Sequence, residues 1–215
     1  MPTQKGGYFL KDGTRVPSVT TVLSHCSLGG CDGLIHWAVK LAKEGKDWQT
    51  VRDKAADAGT MAHDAFEAWA KGQEPVFDGP EDIVKRAKLA FDGFLLWADQ
   101  SKFTITHTEI PFVSEKHRFG GTFDAVMMNG KRYMGDHKTS GSVRSRFLYQ
   151  VRAYGGLWEE NVRDEPINGY LLLRFDGEYG DFHQHQWVDL DNAWRGFLMM
   201  RELYEIEKEM RKRVS

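Results

Sequence analysis

Two acidic residues and a lysine lie close together in the middle of the chain, at Asp124, Asp136 and Lys138. The second acid and the lysine belong to the segment Asp136-His137-Lys138, which ends a strand-like stretch. Because side chains alternate between the two faces of a strand, Asp136 and Lys138 should project together while His137 points away. A carboxylate beside an ammonium group can hold a hard divalent cation and stabilise a developing anion. This combination suits phosphodiester hydrolysis.

The surroundings of Asp124 strengthen this interpretation. Its neighbours Phe123, Ala125 and Val126 are apolar, which places the acid where a core strand ends. A carboxylate in such a position requires a cation or hydrogen-bond donors. Two acids on adjacent strands would repel each other without a metal ion. For Asp136 with Lys138 alone, the alternative is an exposed strand ion pair, which contributes little.

Three further polar residues lie on predicted helices. His63 and Glu67 share one helical face with Phe66, and a lone histidine there is more often a hydrogen-bonded core residue than a metal ligand. Gln150 and Tyr154 are four residues apart, so they lie one turn apart on the same face. The alternative for this second pair is an ordinary amphipathic helix surface.

The charge distribution is local rather than global. The chain has 215 residues, of which 41% are hydrophobic and 28% charged, and its formal net charge is −2. No overall basic field marks it as a nucleic-acid binder. Between positions 131 and 152, however, Asp136 is the only acid and the basic residues are Lys131, Arg132, Lys138, Arg144, Arg146 and Arg152. Such a basic strip can follow a phosphate backbone, although it could also be a solvated loop and helix face.

The pattern of elements predicts one α/β domain over residues 1–215. Residues 1–100 should be mainly helical, residues 101–190 should form the sheet and catalytic core, and residues 191–215 should be a closing helix. A small hairpin is expected over Tyr8–Val16, with Ser18 as the N-cap of the following helix. Further helices are predicted over Leu34–Glu44, Val51–Lys71, Glu81–Gln100, Arg144–Asn161 and Asp191–Arg213. Strands are predicted over Phe103–Val113, Arg118–Met128, Lys131–His137, Ile167–Phe175 and Phe182–Val188.

The order of these motifs resembles a known family. A glycine-to-histidine helix motif (Gly59 to His63) precedes Gly121-Thr122-Phe123-Asp124, then Asp136-His137-Lys138-Thr139, then Gln150 to Tyr154. The series is similar to the RecB-like branch of the PD-(D/E)xK nucleases, and most of all to phage-type exonucleases resembling the lambda exonuclease. The opening segment Val16–Thr21 is also similar to phage-encoded members. The resemblance implies a restriction-endonuclease-like core, with a central mixed β-sheet flanked by α-helices.

The resemblance also implies roles for the residues. Asp124, Asp136 and Lys138 would be catalytic, and the metal ligands would be His63, Asp124, Asp136 and the backbone carbonyl of His137. Gln150 and Tyr154 would contact DNA near the scissile phosphate. The expected function is metal-dependent DNA exonuclease activity in phage or bacterial recombination, repair or replication. The alternatives are a catalytically inactive DNA-binding module of the same fold and a structure-specific endonuclease.

The expected cofactor is Mg²⁺ or Mn²⁺, because oxygen-rich ligation favours hard cations. Two cysteines, Cys26 and Cys31, cannot supply the four ligands of an iron–sulfur cluster, so no cluster is expected. A zinc site with His25 and His36 fits no common spacing, which favours inert thiols. Glu67 or Glu109 could supply a further acid to the metal site. A rival transition-metal site at His183 and His185 lacks an obvious third ligand.

The expected partners and location follow from the same features. DNA is the expected partner, together with a single-strand annealing or recombination protein, and no membrane is expected. No apolar run approaches the ~20 residues needed to span a bilayer, which predicts a cytoplasmic protein, in the host cytoplasm if the gene is phage-encoded.

The connection between the two acid-bearing strands makes a sharper prediction. A two-residue turn at Asn129-Gly130 would pair Met128 with Lys131 and place Asp124 and Asp136 on opposite faces. A shared metal therefore requires a bulge or an odd-length loop. A three-residue loop of Met128, Asn129 and Gly130, with Gly130 left-handed in a G1 bulge, meets this requirement. So does a loop of Asn129 to Lys131, which would set Asp124 directly opposite Asp136.

Overall fold

The computed structural model describes residues 6–25 and 32–214. Cys26 and Cys31 lie outside the described residues. The prediction that their thiols are inert concerns these two positions. The six described helices are α1 (Val19–His25), α2 (Asp32–Lys43), α3 (Trp48–Ala70), α4 (Glu81–Gln100), α5 (Ser145–Asn161) and α6 (Asp191–Val214). The described strands are β1 (Tyr8–Phe9), β2 (Arg15–Val16), β3 (Thr104–Ser114), β4 (Phe119–Met128), β5 (Arg132–Lys138), β6 (Gly169–Phe175) and β7 (Phe182–Trp187).

The centre of the fold is a five-stranded mixed sheet with the strand order β3-β4-β5-β6-β7. Strands β5 and β6 run parallel, and the other three neighbouring pairs are antiparallel. Helix α5 connects the two parallel strands, which cannot be joined by a tight hairpin. Strand β6 is buried along its whole length, as expected for a strand with a neighbour on each side and helices on both faces. The chain therefore has the predicted α/β architecture, with helices covering a mixed central sheet.

Each face of the sheet is covered by its own helices. Helices α3 and α4 pack on one face, where Phe66 and Phe94 meet Leu171, Leu173 and Phe175 of β6. Helices α1, α5 and α6 cover the other face, where the buried residues include Val19, Phe123, Val126, Met134, Val151, Leu157 and Phe197. Side chains on alternate faces of a strand thus pack into two separate apolar layers, one on each side of the sheet. The acid-bearing strands β4 and β5 lie between these layers.

The N-terminal segment is held against the sheet. Strands β1 and β2 form the predicted antiparallel hairpin, and the Tyr8 hydroxyl is 2.9 Å from Thr122 Oγ1 on β4. Ser18 is the N-cap of α1, as predicted, because its Oγ accepts the backbone N–H of Thr21 at 3.0 Å. Among the described residues, no helix is long and apolar enough to cross a membrane.

The loop between β4 and β5 has an odd length, as predicted. Met128 pairs with Arg132, which leaves a three-residue loop of Asn129, Gly130 and Lys131. Gly130 has a φ of 65°, a left-handed conformation that glycine adopts without a steric penalty. The two-residue turn is therefore excluded.

Candidate metal centre

The strand register brings the two predicted acids together. Ala125 pairs with Gly135, so extending the antiparallel register by one residue places Asp124 opposite Asp136. Both side chains are buried. Asp124 lies in the middle of β4, not at the strand end that the sequence indicated, because apolar strand residues continue on both sides of it. Asp136 lies two residues before the end of β5. Two opposed buried carboxylates repel each other strongly unless a proton or a cation lies between or beside them.

Asp136 and Lys138 form an ion pair. Lys138 Nζ is 2.5 Å from Asp136 Oδ2, and both side chains are buried. The ammonium group also lies 5.1 Å from the centre of the Phe147 ring on α5. This geometry confirms that Asp136 and Lys138 project together. Asp136 Oδ1 has no hydrogen-bond partner among the described residues, so one buried carboxylate oxygen stays available to a ligand.

Asp124 connects the sheet to helix α3. Its Oδ2 accepts the backbone N–H of His137 at 2.7 Å and lies 3.7 Å from His63 Nδ1. Helix α3 approaches the sheet closely here, because a Cβ placed on Gly59 would be 3.0 Å from Thr139 Oγ1. This close approach places His63 beside Asp124.

The His137 side chain contributes to the site in a way that the sequence did not indicate. Its imidazole lies on the side of the sheet covered by α3 and α4, against the rings of Phe66, Phe94 and Phe175. Its Nε2 is buried without a hydrogen-bond partner among the described residues. One ligand atom from each of His63, Asp124 and His137 lies within 4.8 Å of the other two. The structure thus adds an imidazole at a position where only the backbone carbonyl was predicted to act.

A small cavity of about 10 Å³ adjoins this group. His63, Asp124 and His137 line it together with Glu67 and Glu109. Its volume is about that of one water-sized particle. Glu109 on β3 has a φ of 52°, a left-handed conformation that is uncommon for a residue other than glycine. In the sequence, Glu109 was only an acidic residue within a predicted strand. Its position beside Asp124 results from the pairing of β3 with β4.

The two carboxylates differ in acidity. Burial opposes ionisation of Asp124, but His63, Lys138 and His137 outweigh it and hold the pKa of Asp124 below its usual value. Burial is the main cause that raises the pKa of Asp136 to about 7; the ion pair with Lys138 opposes this shift, and the charge of Asp124 adds to it. In the absence of metal, Asp136 therefore holds a proton over much of the range in which Asp124 is ionised.

The nearby groups have shifted pKa values as well. Burial lowers the pKa of His63 and lowers that of His137 to about 4, so both imidazoles are neutral at neutral pH. Neutral imidazole is the form that binds a metal ion. Burial, Asp124 and Glu67 raise the pKa of Glu109 to about 8. The centre therefore combines neutral nitrogen donors and the ionised Asp124 with two carboxyl groups, Asp136 and Glu109, whose raised pKa values favour the protonated form when no cation is present.

These residues fit a divalent cation. The site offers carboxylate oxygens at Asp124 and Asp136, imidazole nitrogens at His63 and His137, and buried atoms that lack protein partners. Carboxylates suit Mg²⁺ and Mn²⁺, whereas imidazoles favour transition metals. Mg²⁺ or Mn²⁺ stays a prediction, as does the sharing of one ion by Asp124 and Asp136.

Gln150 and Tyr154 lie one turn apart on α5, as predicted, but both are buried. Gln150 Nε2 donates to the Tyr154 hydroxyl at 3.0 Å. Burial and the charges of Asp124 and Asp136 raise the pKa of Tyr154 well above its ordinary value. The pair thus lies within electrostatic reach of the carboxylates, beneath the surface. This burial favours support of the site over the predicted direct contact with DNA.

The three arginines predicted to contact phosphate occupy different environments. Arg144 is exposed just before α5, and the half-buried Arg146 donates to Ser24 Oγ at 2.9 Å. Arg152 is only 7% exposed, with its guanidinium 5.0 Å from the centre of the Trp194 ring and 3.3 Å from Glu159 Oε2. The prediction for Arg152 is corrected, because a guanidinium enclosed in this way cannot reach a phosphate backbone. Arg144 and Arg146 stay predicted contacts.

His183 and His185 share a face of β7, as the rival interpretation required. Their rings are stacked with centres 6.5 Å apart, and His183 Nε2 is 3.2 Å from Asp181 Oδ2. Within residues 6–25 and 32–214, His63, Asp124 and His137 form the only group of three or more His, Cys, Asp or Glu side chains that could hold a metal ion. The two β7 histidines therefore fit a solvated strand face.

Comparison with known proteins gives little guidance. No family model matches this chain, and no curated protein matches it. Among solved structures, one described as the crystal structure of SSO0001 has a TM-score of 0.33 and 13% sequence identity, covering 69% of this chain and 72% of that one.

Proposed function

We propose that this protein is a divalent-metal-dependent DNA exonuclease with a restriction-endonuclease-like core. One observation carries the proposal: Asp124 and Asp136 occupy opposed positions on neighbouring strands, with Lys138 paired to Asp136 and His63 beside Asp124. Buried acids in this arrangement destabilise a protein unless they keep a proton or bind a cation. A phosphate group would meet both the cation and the ammonium group at one place.

The substrate assignment comes from the resemblance to RecB-like nucleases. The motif order from His63 through Asp124, Asp136 and Lys138 to Tyr154 resembles that branch of the PD-(D/E)xK superfamily. It suggests DNA as substrate, Mg²⁺ or Mn²⁺ as cofactor, and a role in phage or bacterial recombination, repair or replication. A single-strand annealing or recombination protein would be a fitting partner, and the cytoplasm a fitting location.

The chain's own residues define the chemistry. When bound, a divalent cation would neutralise phosphate charge and activate water for in-line attack on phosphorus. Asp124 and Asp136 would bind the cation, with His63 completing its ligand set. Lys138 would orient the attacking water and offset the negative charge added to the phosphoryl group. The Phe147 ring beside Lys138 would limit the access of other water molecules to the ammonium group.

A structure-specific endonuclease and a catalytically inactive DNA-binding module are the alternatives. Purified protein should be mixed with end-labelled single-stranded DNA, end-labelled double-stranded DNA and a covalently closed circle, each with EDTA, Mg²⁺ or Mn²⁺. An exonuclease degrades the linear molecules only when metal is present and leaves the closed circle intact. Cleavage of the circle would support the endonuclease, and metal-independent binding without cleavage would support the binding module.

In this assay Lys138→Met is the test variant, and Lys131→Ala is its matched control. Lys131 is an exposed lysine of the β4–β5 loop, so its loss should leave cleavage unchanged. If the two variants cleave equally well, Lys138 has no catalytic role and the proposed site is wrong.

A further inference from the structure

The C-terminal helix carries an apolar surface on the side away from the body of the protein. Met199 is 69% exposed, Leu203 45%, Ile206 47% and Met210 40%. We call these four residues the α6 seam. Single exposed apolar residues are ordinary, but a continuous row on one helix marks an interaction surface.

The spacing of the seam is that of a coiled coil. Its members follow one another at intervals of four, three and four residues, the a/d pattern of a heptad repeat. The opposite face of α6 is occupied, because Phe197, Met200 and Arg201 are buried against the protein and Tyr204 packs on His25. Helix α6 therefore has two apolar faces, one used within the fold and one exposed.

The charges beside the seam identify the kind of partner. On a helical wheel, Glu202 and Glu209 border it on one side and Glu207 on the other. All three are exposed, and none forms an ion pair within the described part of the chain. Arg201 and Lys208 instead pair with Glu205 on the side nearer the body. Between Met199 and Met210 the seam thus has acidic borders only.

We propose that the α6 seam docks a helix of another protein, with apolar a and d positions and with Lys or Arg at the positions beside them. Knobs-into-holes packing would bury the four apolar side chains, and the basic residues would pair with the three glutamates. This docking surface is independent of the proposed nuclease function.

A second copy of this chain is a poorer occupant. In a parallel pair, Glu202 of one copy would face Glu207 of the other, because g and e′ positions meet five residues apart. In an antiparallel pair, g positions meet g′ and e positions meet e′, so glutamates again face glutamates. Self-association would therefore bring like charges together in both orientations.

The test uses synthetic helical peptides of about three heptads, with identical Leu and Ile cores and either Lys or Glu at every e and g position. Binding to the whole protein is measured by fluorescence anisotropy at low salt. The Lys peptide should bind about tenfold more tightly than the Glu peptide, because three attractive pairs replace three repulsive ones. This preference should shrink in high salt.

Three variants decide the outcome. Leu203→Gln with Ile206→Gln should abolish peptide binding, whereas Leu96→Gln, which removes an equally exposed leucine (45%) on α4, should not. Reversing the borders with Glu202→Lys, Glu207→Lys and Glu209→Lys should make the protein prefer the Glu peptide. Circular dichroism and nuclease assays should be unchanged for all three, since these side chains lie outside the metal centre.

Several results would overturn the proposal. Equal affinity for the two peptides, or Lys-peptide binding that survives the loss of Leu203 and Ile206, would show that the seam does not select a basic helix. A wild-type dimer in analytical ultracentrifugation that dissociates in the seam variant would make a second copy the occupant instead.

Discussion

At the residue scale, Asp136 and Lys138 depend on each other. Lys138 Nζ lies 2.5 Å from Asp136 Oδ2 in a buried site, yet the pKa of Asp136 is raised to about 7. Burial therefore outweighs the ion pair, and the carboxyl group gains a strong preference for a proton or a cation. Such a pair contributes little to stability. Its value to the protein is best explained by chemistry at the site.

The first prediction concerns this pair. Lys138→Met and Asp136→Asn should each reduce DNA hydrolysis by about 100-fold or more, the usual effect of removing one group that stabilises transition-state charge. Lys138→Met should remain folded, because Asp136 can become neutral by keeping its proton. Initial rates with Mg²⁺ or Mn²⁺ on linear DNA measure the effect. Hydrolysis by Asp136→Asn at close to the wild-type rate would show that the site is assigned to the wrong residues.

The limits of prediction from sequence are clear at this scale. The alternation of a strand correctly separated Asp136 and Lys138 from His137, because that rule is local. The same rule could not tell that α3 would bring His63 to the side where the His137 imidazole lies. Arg152 was misjudged for a related reason: a charged residue in a basic segment gave no sign that Trp194 and Tyr170 would enclose it.

At the scale of elements, patterns of apolar residues were sufficient for the helices and strands. Helix α4 spans Glu81–Gln100, as predicted, because its apolar positions recur at helical intervals. The strand order was beyond such reasoning, since the parallel pairing of β5 and β6 depends on contacts distant in sequence. The loop of Asn129 to Lys131 was one of two that its turn residues allowed. The second prediction concerns another local feature, the place where α3 meets the sheet.

Gly59→Ala should disturb the metal centre without unfolding the protein. Its new Cβ would lie 3.0 Å from Thr139 Oγ1, so α3 or Thr139 must move by a few tenths of an ångström. We expect DNA hydrolysis to fall by roughly three- to tenfold, because small misplacements at a reacting centre are costly. Inside a helix, alanine is more favourable than glycine by about 1 kcal/mol. We therefore expect no loss in the free energy of unfolding comparable to the loss of activity.

A double-mutant cycle identifies the cause. In a Thr139→Ala background the same Gly59→Ala change should have a smaller effect on hydrolysis, because the crowded hydroxyl is gone. Gly33→Ala on α2 is the matched control, since no atom lies within 4 Å of its added Cβ. Equal losses in both backgrounds would contradict steric coupling between α3 and the strand end.

The third prediction concerns the start of α5. Arg144→Ala and Arg146→Ala should each weaken DNA binding regardless of base sequence, and each should reduce the slope of log K against log salt by roughly 0.7 to 0.9. Arg52→Ala is the control, because Arg52 is an exposed arginine on α3 already paired with Asp53. Filter binding over a series of salt concentrations measures the slopes. An unchanged slope in the double variant would exclude this segment as the DNA track.

At the scale of the whole molecule, the candidate metal centre joins elements that are far apart in sequence. Asp124 and Asp136 lie on the central strands β4 and β5, and His63 comes from a helix on one face of the sheet. Lys138 contacts Phe147 from the helix on the other face. An ion bound here would link α3 to the sheet beside α5. Metal binding should therefore affect the stability of the entire fold.

The fourth prediction is that metal raises the melting temperature, and that it does so more at high pH. Metal at ~100 times its Kd should stabilise the fold by about 2.7 kcal/mol. For a chain of this size that is roughly 5–10 °C. Asp124→Asn should lose most of this increase, and His63→Gln should lose part of it.

The sign of the pH effect follows from Asp136. Without metal, its folded pKa of about 7 exceeds its unfolded value of 3.8. The folded state therefore keeps a proton that the unfolded chain has lost, and this group's contribution to stability falls as pH rises through that interval.

A metal ion must displace the proton at pH 6 but not at pH 8, so the affinity of the protein for the metal should increase by about tenfold between these two pH values. His137 should add little to this change, because its pKa of about 4 keeps it neutral throughout, and burial also lowers the pKa of His63, which reduces its contribution. Differential scanning fluorimetry with Mn²⁺ or EDTA at both pH values measures the increase, and Asp136→Asn should flatten its pH dependence. A wild-type increase that is equal at the two pH values would separate Asp136 from the bound ion, and the shared site with Asp124 would have to be abandoned.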